Sequence, residues 1–277
     1  MAAFFKNKMQ RSNFHTHSTF SDGHATIREM VDTAVSCGFN AIGFSDHSYA
    51  PLQTSYSMSK DGLEPYLEEI KNIRKEYDGI IRVYAGVELD GDSDINTEAL
   101  DYKIASVHEL RYKDKSYPVD WSAEMQHELA DLLFRGSLTD YSIAYYDSVI
   151  KHVKKCSPDI IGHFDLVTKY SEIDEEDKRY REYATDTAIE CLKYCDTFEL
   201  NTGAIARKLR TIPYPAPYIL KALHEKKARV IITSDCHYPE RMTAWFAEAE
   251  KYLESLGFTH DEHGKLNEKI NDIDIWY

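Results

Sequence analysis

Short apolar runs alternate with amphipathic stretches along most of the chain. The apolar runs, each a candidate β-strand, lie at 12–17, 40–45, 80–89, 103–108, 159–164, 197–203 and 228–235. Between them, apolar residues recur at the spacing of a helix face, as at Ile27, Met30 and Val31. The predicted helices lie near 26–38, 62–77, 139–155, 176–195, 215–227 and 240–256. Thr26 and Glu29 add a capping-box signature at the start of the first helix.

This alternation predicts an α/β protein, organised as one domain over 1–277 with a barrel core at about 12–257. Parallel strands joined by right-handed helical crossovers close, or nearly close, into a barrel. The alternative is an open doubly wound sheet. We disfavour it because ligand-type residues follow almost every strand, whereas an open sheet gathers its site at one switch point. A long Tyr- and charge-rich excursion at 109–138 is predicted to be a functional loop or lid.

The ends of the apolar runs carry residues that bind metals. His15 and His17 end the first run, and alternate residues of a strand share a face, so this pair can grip one ion. Five further runs end at Ser45-Asp46-His47, Gly86-Val87-Glu88, Ser106-Val107-His108, Gly162-His163-Phe164-Asp165 and Ser234-Asp235-Cys236-His237. Such residues at the C-terminal ends of successive strands predict a barrel enzyme with a metal site at its mouth.

Composition narrows the possible partners and location. The net charge of −14 argues against a broad nucleic-acid-binding face, which needs clustered Lys and Arg. A small phosphorylated substrate stays compatible, because bound divalent metals supply local positive charge. No apolar stretch has membrane-spanning length, and residues 1–14 lack the apolar core of a signal peptide. The five cysteines form no CxxC pair, so we expect free thiols and a cytoplasmic protein without a membrane partner.

The motifs HTHSTFSDG, FSDHS, AGVELD, SVHEL, GHFDL and SDCH together resemble the PHP (polymerase and histidinol phosphatase) family of metal-dependent phosphoesterases. The resemblance runs from residue 13 to about 257. IIGHFDLVTKY, FELNTGAIARK and YPAPYILKALHEK resemble its histidinol-phosphate phosphatases in particular. The resemblance implies a distorted (β/α)7 TIM-like barrel that holds three divalent ions at the C-terminal ends of its strands. Zinc, manganese and iron suit a set of imidazole and carboxylate ligands.

The resemblance also implies which residues bind these ions. By position, the ligands are His15, His17, Glu88 and Asp235 for the first ion, Glu88, His108 and His163 for the second, and Asp22, His47 and His237 for the third. Asp22 and His24 both offer a ligand from the first loop, and the Ser-Asp-Gly context favours Asp22. Glu88, Asp235 and His237 are the expected catalytic residues.

The implied activity is hydrolysis of a phosphomonoester, expected to be L-histidinol phosphate of histidine biosynthesis, by a hydroxide shared between two metals. A cationic side chain should help to hold the phosphate. Arg207 is our candidate, because a guanidinium matches phosphate oxygens bidentately. Arg207 could equally be a surface arginine at a loop end, and Arg210 and Lys208 are weaker candidates.

Other polar and aromatic residues are expected around this centre. Asp46 and Asp165 lie beside ligands and could orient imidazoles, although Asp165 could equally cap the next turn. Tyr112, Tyr117 and Trp121 belong to the long excursion, which is expected to cover the substrate.

Three other functions remain open from the sequence. One is a phosphoesterase acting on a different small phosphorylated metabolite, a phosphodiester or a nucleotide, although the acidic charge argues against long polynucleotides. Another is a non-catalytic metal-binding protein, which we disfavour because every ligand position is filled. An amidohydrolase fits the three-ion ligand set poorly. The oligomeric state cannot be read from the sequence, and residues 258–277 suggest a final hairpin or a small docking element.

Overall fold

Strands and helices alternate in the structure as the apolar pattern predicts. The computed structural model describes residues 10–53, 55–113 and 115–277, so the signal-peptide prediction concerns residues that lie mostly outside the described part. In chain order the strands are β1 (Ser12–Asn13), β2 (Ala41–Phe44), β3 (Arg82–Leu89), β4 (Tyr102–Ala105), β5 (Glu109–Tyr112), β6 (Lys115–Pro118), β7 (Ile160–Ile161), β8 (Thr197–Asn201), β9 (Arg229–Thr233), β10 (His260–Lys265) and β11 (Asn271–Trp276). The helices are α1 (Ile27–Ser36), α2 (Leu63–Glu76), α3 (Ala123–Phe134), α4 (Leu138–Cys156), α5 (Lys178–Cys191), α6 (Gly203–Ala206), α7 (Pro217–Glu225) and α8 (Phe246–Ser255).

One curled sheet forms the centre of the molecule, in the order β1-β2-β3-β4-β7-β8-β9-β11-β10. The first seven of these strands pair in parallel with their neighbours. They follow chain order without a reversal, so the switch point of a doubly wound sheet is missing among the described strands. The α/β TIM-like fold predicted from the sequence is therefore confirmed, and the doubly wound alternative is wrong. The division into one domain with a core at 12–257 stays a prediction.

The barrel closes at the end where the candidate ligands lie. β1 and β9 meet through an isolated parallel bridge between Thr16 and Cys236. The His17 amide donates to the Cys236 carbonyl at 2.9 Å, and the Cys236 amide donates to the His15 carbonyl at 3.2 Å. This pairing brings the end of the first strand against the end of the last parallel strand, and with them the ligands that each carries.

The opposite end is filled by the C-terminal hairpin, which confirms the hairpin reading of 258–277. β11 pairs antiparallel with β9 through Trp276 and Val230. Ile273 and Ile275 are fully buried in a cluster with Phe14 and other residues of the parallel strands. The hairpin thus replaces the strand contact that a complete barrel would make at this end.

Local sequence explains the best-predicted helix. Thr26 caps α1 by accepting a hydrogen bond from the Glu29 amide at 3.2 Å, and the Glu29 carboxylate accepts from the Thr26 amide at 2.8 Å. Gly38, with φ of +80°, turns the chain after the helix. By contrast, the helix predicted from 240 begins only at Phe246, because a short 3-10 turn and the left-handed Trp245 precede it.

The excursion at 109–138 is not the loop that the sequence suggested. It contains the β5–β6 hairpin and α3, which Ser122 caps by accepting from the Met125 amide at 3.1 Å. The sequence pattern missed α3 because its buried face includes Gln126, whose amide donates to the carbonyls of Val119 and Val167, each at 2.9 Å. The excursion is therefore an ordered subdomain attached at the mouth of the barrel.

Two remaining observations concern the helices and the cysteines. No helix of the described residues combines the length and the apolar character that crossing a membrane requires. All five cysteines are free thiols.

Replacing Ile275 with Ala should lower the free energy of unfolding by about 2–5 kcal/mol, because a fully buried side chain leaves a cavity between the hairpin and the strands. Urea denaturation would measure the change. The matched control is Ile80→Ala at a position that is 60% exposed, where we expect a change of at most about 0.5 kcal/mol. Equal effects of the two substitutions would show that the hairpin does not belong to the core.

Candidate metal centre

The Glu88 carboxylate lies at the middle of the site, buried at the end of β3 and surrounded by imidazoles. Its Oε2 lies 3.2 Å from His15 Nε2, 3.5 Å from His17 Nε2 and 3.2 Å from His47 Nδ1. Its Oε1 lies 2.9 Å from His163 Nε2 and 3.6 Å from His108 Nε2. Each oxygen thus faces its own set of imidazoles, which is the arrangement that a bridging carboxylate needs.

Asp235 comes next to Glu88 through the closure of the barrel. Its Oδ1 lies 3.4 Å from His17 Nε2, 3.7 Å from His15 Nε2 and 3.6 Å from His237 Nδ1. Its backbone has a φ of +48°, in the left-handed region that non-glycine residues rarely adopt. Strain of this kind is held where the surrounding structure fixes a functional side chain.

A third group of side chains gathers around Asp22. Its Oδ2 lies 3.2 Å from His237 Nε2, and its Oδ1 lies 3.9 Å from His47 Nε2. His24, the other sequence candidate, is exposed and stacks on the Tyr238 ring with centroids 4.1 Å apart. The fold therefore brings Asp22, and not His24, to this group.

All nine residues named from the sequence belong to this centre. Their ligand atoms form four groups, each with all distances within 4.8 Å: His17, Asp22, His47 and His237; His15, Glu88 and His163; His15, His17 and Asp235; and His47, Glu88 and His108. The groups overlap, because His15, His17, His47 and Glu88 each belong to two of them. Which residue binds which ion, and the catalytic roles of Glu88, Asp235 and His237, stay predictions.

The chemistry of the donor atoms fits divalent ions. The ring nitrogens His15 Nε2, His17 Nδ1, His17 Nε2 and His47 Nδ1 are buried and have no hydrogen-bond partner among the described residues. Buried polar atoms without a partner are costly, and metal coordination is the interaction that such imidazole nitrogens make in proteins. Imidazole with carboxylate suits zinc, manganese and iron.

The pKa shifts of His17 and His15 agree with the binding of divalent ions. Burial, with the neighbouring imidazoles of His237 and His47, lowers the pKa of His17 to about 3, which keeps its ring neutral and able to coordinate. Burial also acts to lower the pKa of His15, but carboxylates, first of all that of Glu199, raise it well above its usual value. The site thus stabilises positive charge, which bound divalent ions would provide.

Glu199 is a candidate functional residue that the sequence pattern did not reveal. Its Oε2 lies 2.7 Å from His15 Nδ1, and the Thr233 hydroxyl donates to the same oxygen at 2.8 Å. Its Oε1 accepts from the His163 amide at 2.5 Å and from Asn201 Nδ2 at 2.8 Å. Glu199 therefore holds the His15 ring with Nε2 directed at Glu88. The available signal was an acidic residue between Phe198 and Leu200, in the middle of a short predicted strand.

Asp90 plays the same part for His108 and was also missed. Its Oδ2 lies 2.9 Å from His108 Nδ1, and its Oδ1 accepts from the His108 amide at 2.9 Å. The signal was its position two residues after Glu88, which places both carboxylates on one side of the extended chain.

The expectation that Asp46 and Asp165 orient imidazoles is wrong. In the described structure, Asp46 accepts hydrogen bonds from the amides and hydroxyls of Ser18 and Ser21, and so shapes the loop that carries Asp22. Asp165 accepts from the Ala216 amide at 2.9 Å and makes no side-chain cap. Asp46 is adjacent to His47, and neighbouring side chains of an extended chain point in different directions. Asp165 lies two residues after His163, but its backbone, with a ψ of 38°, is not extended, so the two side chains do not share a side.

A cleft of about 720 Å³ opens over the centre, and Arg207 is part of its wall. Arg207 Nη2 donates to Asp235 Oδ2 at 3.0 Å, so the guanidinium lies beside a candidate ligand. Arg210 is buried and donates to the Thr168 carbonyl at 2.8 Å, while Lys208 is exposed outside the cleft lining. Of the three sequence candidates, the fold brings only Arg207 to the cleft.

The excursion also reaches the cleft, but not through all the aromatic residues named from the sequence. Trp121 lines the cleft, together with Tyr56 and Tyr170 from other segments. Tyr112 and Tyr117 do not belong to the lining. Burial raises the pKa of Glu109, another residue of this wall, to about 7.

Comparison with known proteins gives one family and several full-length relatives. The model of the PHP domain matches residues 13–203. The chain is 25% identical to a histidinol-phosphatase of Bacillus subtilis, over 83% of this chain and 94% of that protein. It is 29% identical to a protein of Deinococcus radiodurans named probable histidinol-phosphatase, over 88% of this chain and 92% of that protein.

A solved structure has the same fold. The histidinol phosphate phosphatase of Lactococcus lactis, in complex with zinc, L-histidinol and phosphate, superposes with a TM-score of 0.70. It is 21% identical and covers 90% of this chain and 95% of its own.

Replacing Glu199 with Gln should weaken metal binding by about 10- to 100-fold, because the His15 ring loses the carboxylate that orients it and raises its basicity. Metal retained after dialysis against graded chelator concentrations would measure this, with circular dichroism to confirm folding. The matched control is Glu225→Gln on the exposed side of α7, which should retain metal like the wild type. Unchanged retention in the Glu199 variant would show that its contact with His15 plays no part in metal binding.

Proposed function

Because the chain belongs to the PHP domain family, we propose that it is a metal-dependent phosphomonoesterase whose substrate is L-histidinol phosphate. The observation that supports the reaction is the buried Glu88 carboxylate, with each oxygen facing a separate set of imidazoles. The choice of substrate rests on the similarity, over most of both chains, to proteins named histidinol-phosphatase. Both partners of the reaction, a phosphate ester and water, are small enough for the cleft.

The nine ligands named above would hold three divalent ions, with zinc, manganese and iron as the candidates by donor chemistry. When bound, such ions lower the pKa of water and neutralise charge on the phosphoryl oxygens. The protein's own contribution is to hold the ligand side chains in position. Glu199 and Asp90 hold the rings of His15 and His108, and the bridge between Thr16 and Cys236 holds the ligands of β1 against Asp235.

Arg207 would bind the phosphoryl group directly. Its guanidinium already lies 3.0 Å from Asp235 and keeps free N–H groups for a second partner, since an arginine has five donors. Two parallel hydrogen bonds to phosphate oxygens would orient the ester for in-line attack. The other lysine and arginine side chains among the described lining residues have partners in the cleft wall: Lys169 pairs with Asp120 at 2.7 Å, and Arg241 lies over the Tyr238 ring.

We also propose a cytoplasmic location, supported by the five free cysteines, which suit a reducing compartment.

The test of the proposed function is phosphate release from L-histidinol phosphate by the purified protein, with metals quantified on the same sample. We expect turnover with about three ions per chain. A chromogenic phosphodiester, assayed in parallel, should be hydrolysed far more slowly. Metals bound without turnover of histidinol phosphate would exclude this substrate, and absence of tightly bound metal after reconstitution would exclude the reaction.

Replacing Glu88 with Ala should abolish turnover and reduce the metal content, because the carboxylate that would hold two of the ions is lost. Glu128→Ala, an exposed position on α3, is the matched control and should retain full activity. Full activity of the Glu88 variant would contradict the proposed role of the centre.

Replacing Arg207 with Ala should lower kcat/KM for the phosphate ester by about 10- to 100-fold, the range expected for a hydrogen bond to a charged group. Arg207→Lys should recover only part of this loss, because an ammonium lacks the bidentate geometry. Inhibition by inorganic phosphate should weaken in parallel. Lys208→Ala is the control, since this neighbour is exposed and does not line the cleft. A loss of the same size in the control would reject the assignment of Arg207.

A further inference from the structure

The segment of the excursion that enters the cleft is held firmly by its backbone. The Tyr170 hydroxyl shares its single proton between the carbonyls of Asp120 and Trp121, whose oxygens lie 2.6 and 2.7 Å away. Lys169 Nζ donates to the Asp120 carbonyl at 2.9 Å, and the Val119 amide donates to the His108 carbonyl at 2.8 Å. These bonds tie the segment to Lys169, to Tyr170 and to the backbone of the candidate ligand His108, and they do not involve the Trp121 side chain.

That side chain is nevertheless left largely in solvent. Trp121 is 74% exposed although it lines the cleft, and Leu52, which also lines it, is 49% exposed. An indole on a fixed backbone, facing a concave site, is a surface that gains free energy when a planar group covers it. Aromatic and apolar groups of this kind line the parts of clefts that contact the organic portion of a ligand.

Glu109 contributes an acidic side chain to the cleft wall, in contrast to the cationic Arg207 of the phosphate-binding part. It follows His108, lines the cleft and is half-buried. Its neighbour Asp120 is paired with Lys169, but no ion pair among the described residues includes Glu109. A half-buried carboxylate that faces a cleft and has no cationic partner attracts a ligand that carries one.

We propose that Glu109 and Trp121 form the leaving-group subsite, which selects phosphate esters whose alcohol carries both an ammonium group and a planar ring. Glu109 accepts hydrogen bonds from the ammonium, and the Trp121 indole packs on the ring. L-Histidinol phosphate has both groups, so this inference rests on the proposed function for its substrate and adds the residues that recognise it. Arg207 would bind the phosphate, so different residues of the cleft wall would contact different parts of one molecule.

The test is a set of four esters assayed with the metal-loaded enzyme and with the Glu109→Gln and Trp121→Ala variants. The esters are histidinol phosphate with both groups, phosphoethanolamine with the ammonium alone, phenyl phosphate with the ring alone and glycerol 3-phosphate with neither. Glu109→Gln should lower kcat/KM by about 10-fold or more for the two ammonium esters only. Trp121→Ala should lower it by about 3- to 10-fold for the two ring esters only.

The matched controls lie on α3, outside the cleft. Glu128→Gln removes an exposed carboxylate, and Leu132→Ala removes a side chain that is 65% exposed. Both should behave like the wild type on every ester. Equal losses across the four esters in the subsite variants, or no loss at all, would overturn the proposal.

A binding measurement separates this inference from the proposed function. Calorimetric titration with L-histidinol, which needs no turnover, should give an affinity that both subsite variants weaken. If the wild type binds L-histidinol but does not hydrolyse its phosphate ester, the proposed reaction fails while the subsite stands. If the wild type hydrolyses histidinol phosphate and the variants bind L-histidinol as tightly as it does, the subsite fails alone.

Discussion

Burial of the Glu88 carboxylate among five imidazoles is the interaction on which the mouth of this barrel depends. Taking a charge out of water costs several kcal/mol unless its partners are fixed in place. The imidazoles around Glu88 must therefore be held by a nearly closed barrel. The partners come from strands far apart in the chain. His15 follows β1 and His163 follows β7, and only the curled sheet brings them to opposite oxygens of one carboxylate.

The barrel is closed by different contacts at its two ends. At the mouth, the bridge between Thr16 and Cys236 brings β1 and β9 together, and Asp235 meets the imidazoles there. At the base, β11 lies beside β9, and Ile273 and Ile275 fill the space between the strands. The barrel is therefore closed unevenly, and this unevenness suits the site. β1 and β9 pair directly at the mouth, where their ligands meet, whereas the apolar hairpin fills the space beside β9 at the base.

The alternation of apolar runs and amphipathic stretches predicted the parallel strands, and ligand-type residues at the ends of six runs indicated a metal site at the mouth of the barrel. The full set of nine ligands, which includes Asp22 from the first loop, came from the resemblance to the PHP family. The sequence pattern missed Glu199 and Asp90, whose roles depend on contacts between strands that no local pattern records. It assigned Asp46 to an imidazole for the converse reason, since proximity in sequence does not determine where a side chain points. The helix α3 escaped because a buried Gln126, satisfied by two carbonyls, interrupts its apolar face.

The candidate metal ligands and the residues proposed to select the substrate lie in different parts of the chain. The ligands and the carboxylates that orient them lie at the ends of the barrel strands, where movement of an ångström would disturb several contacts at once. Glu109 and Trp121 belong to the excursion, whose backbone is tied down by Tyr170 and Lys169 while the Trp121 side chain remains exposed. A change of side chain there alters what the cleft contacts without moving a ligand. The same barrel can therefore keep its reaction while the excursion determines which alcohol leaves.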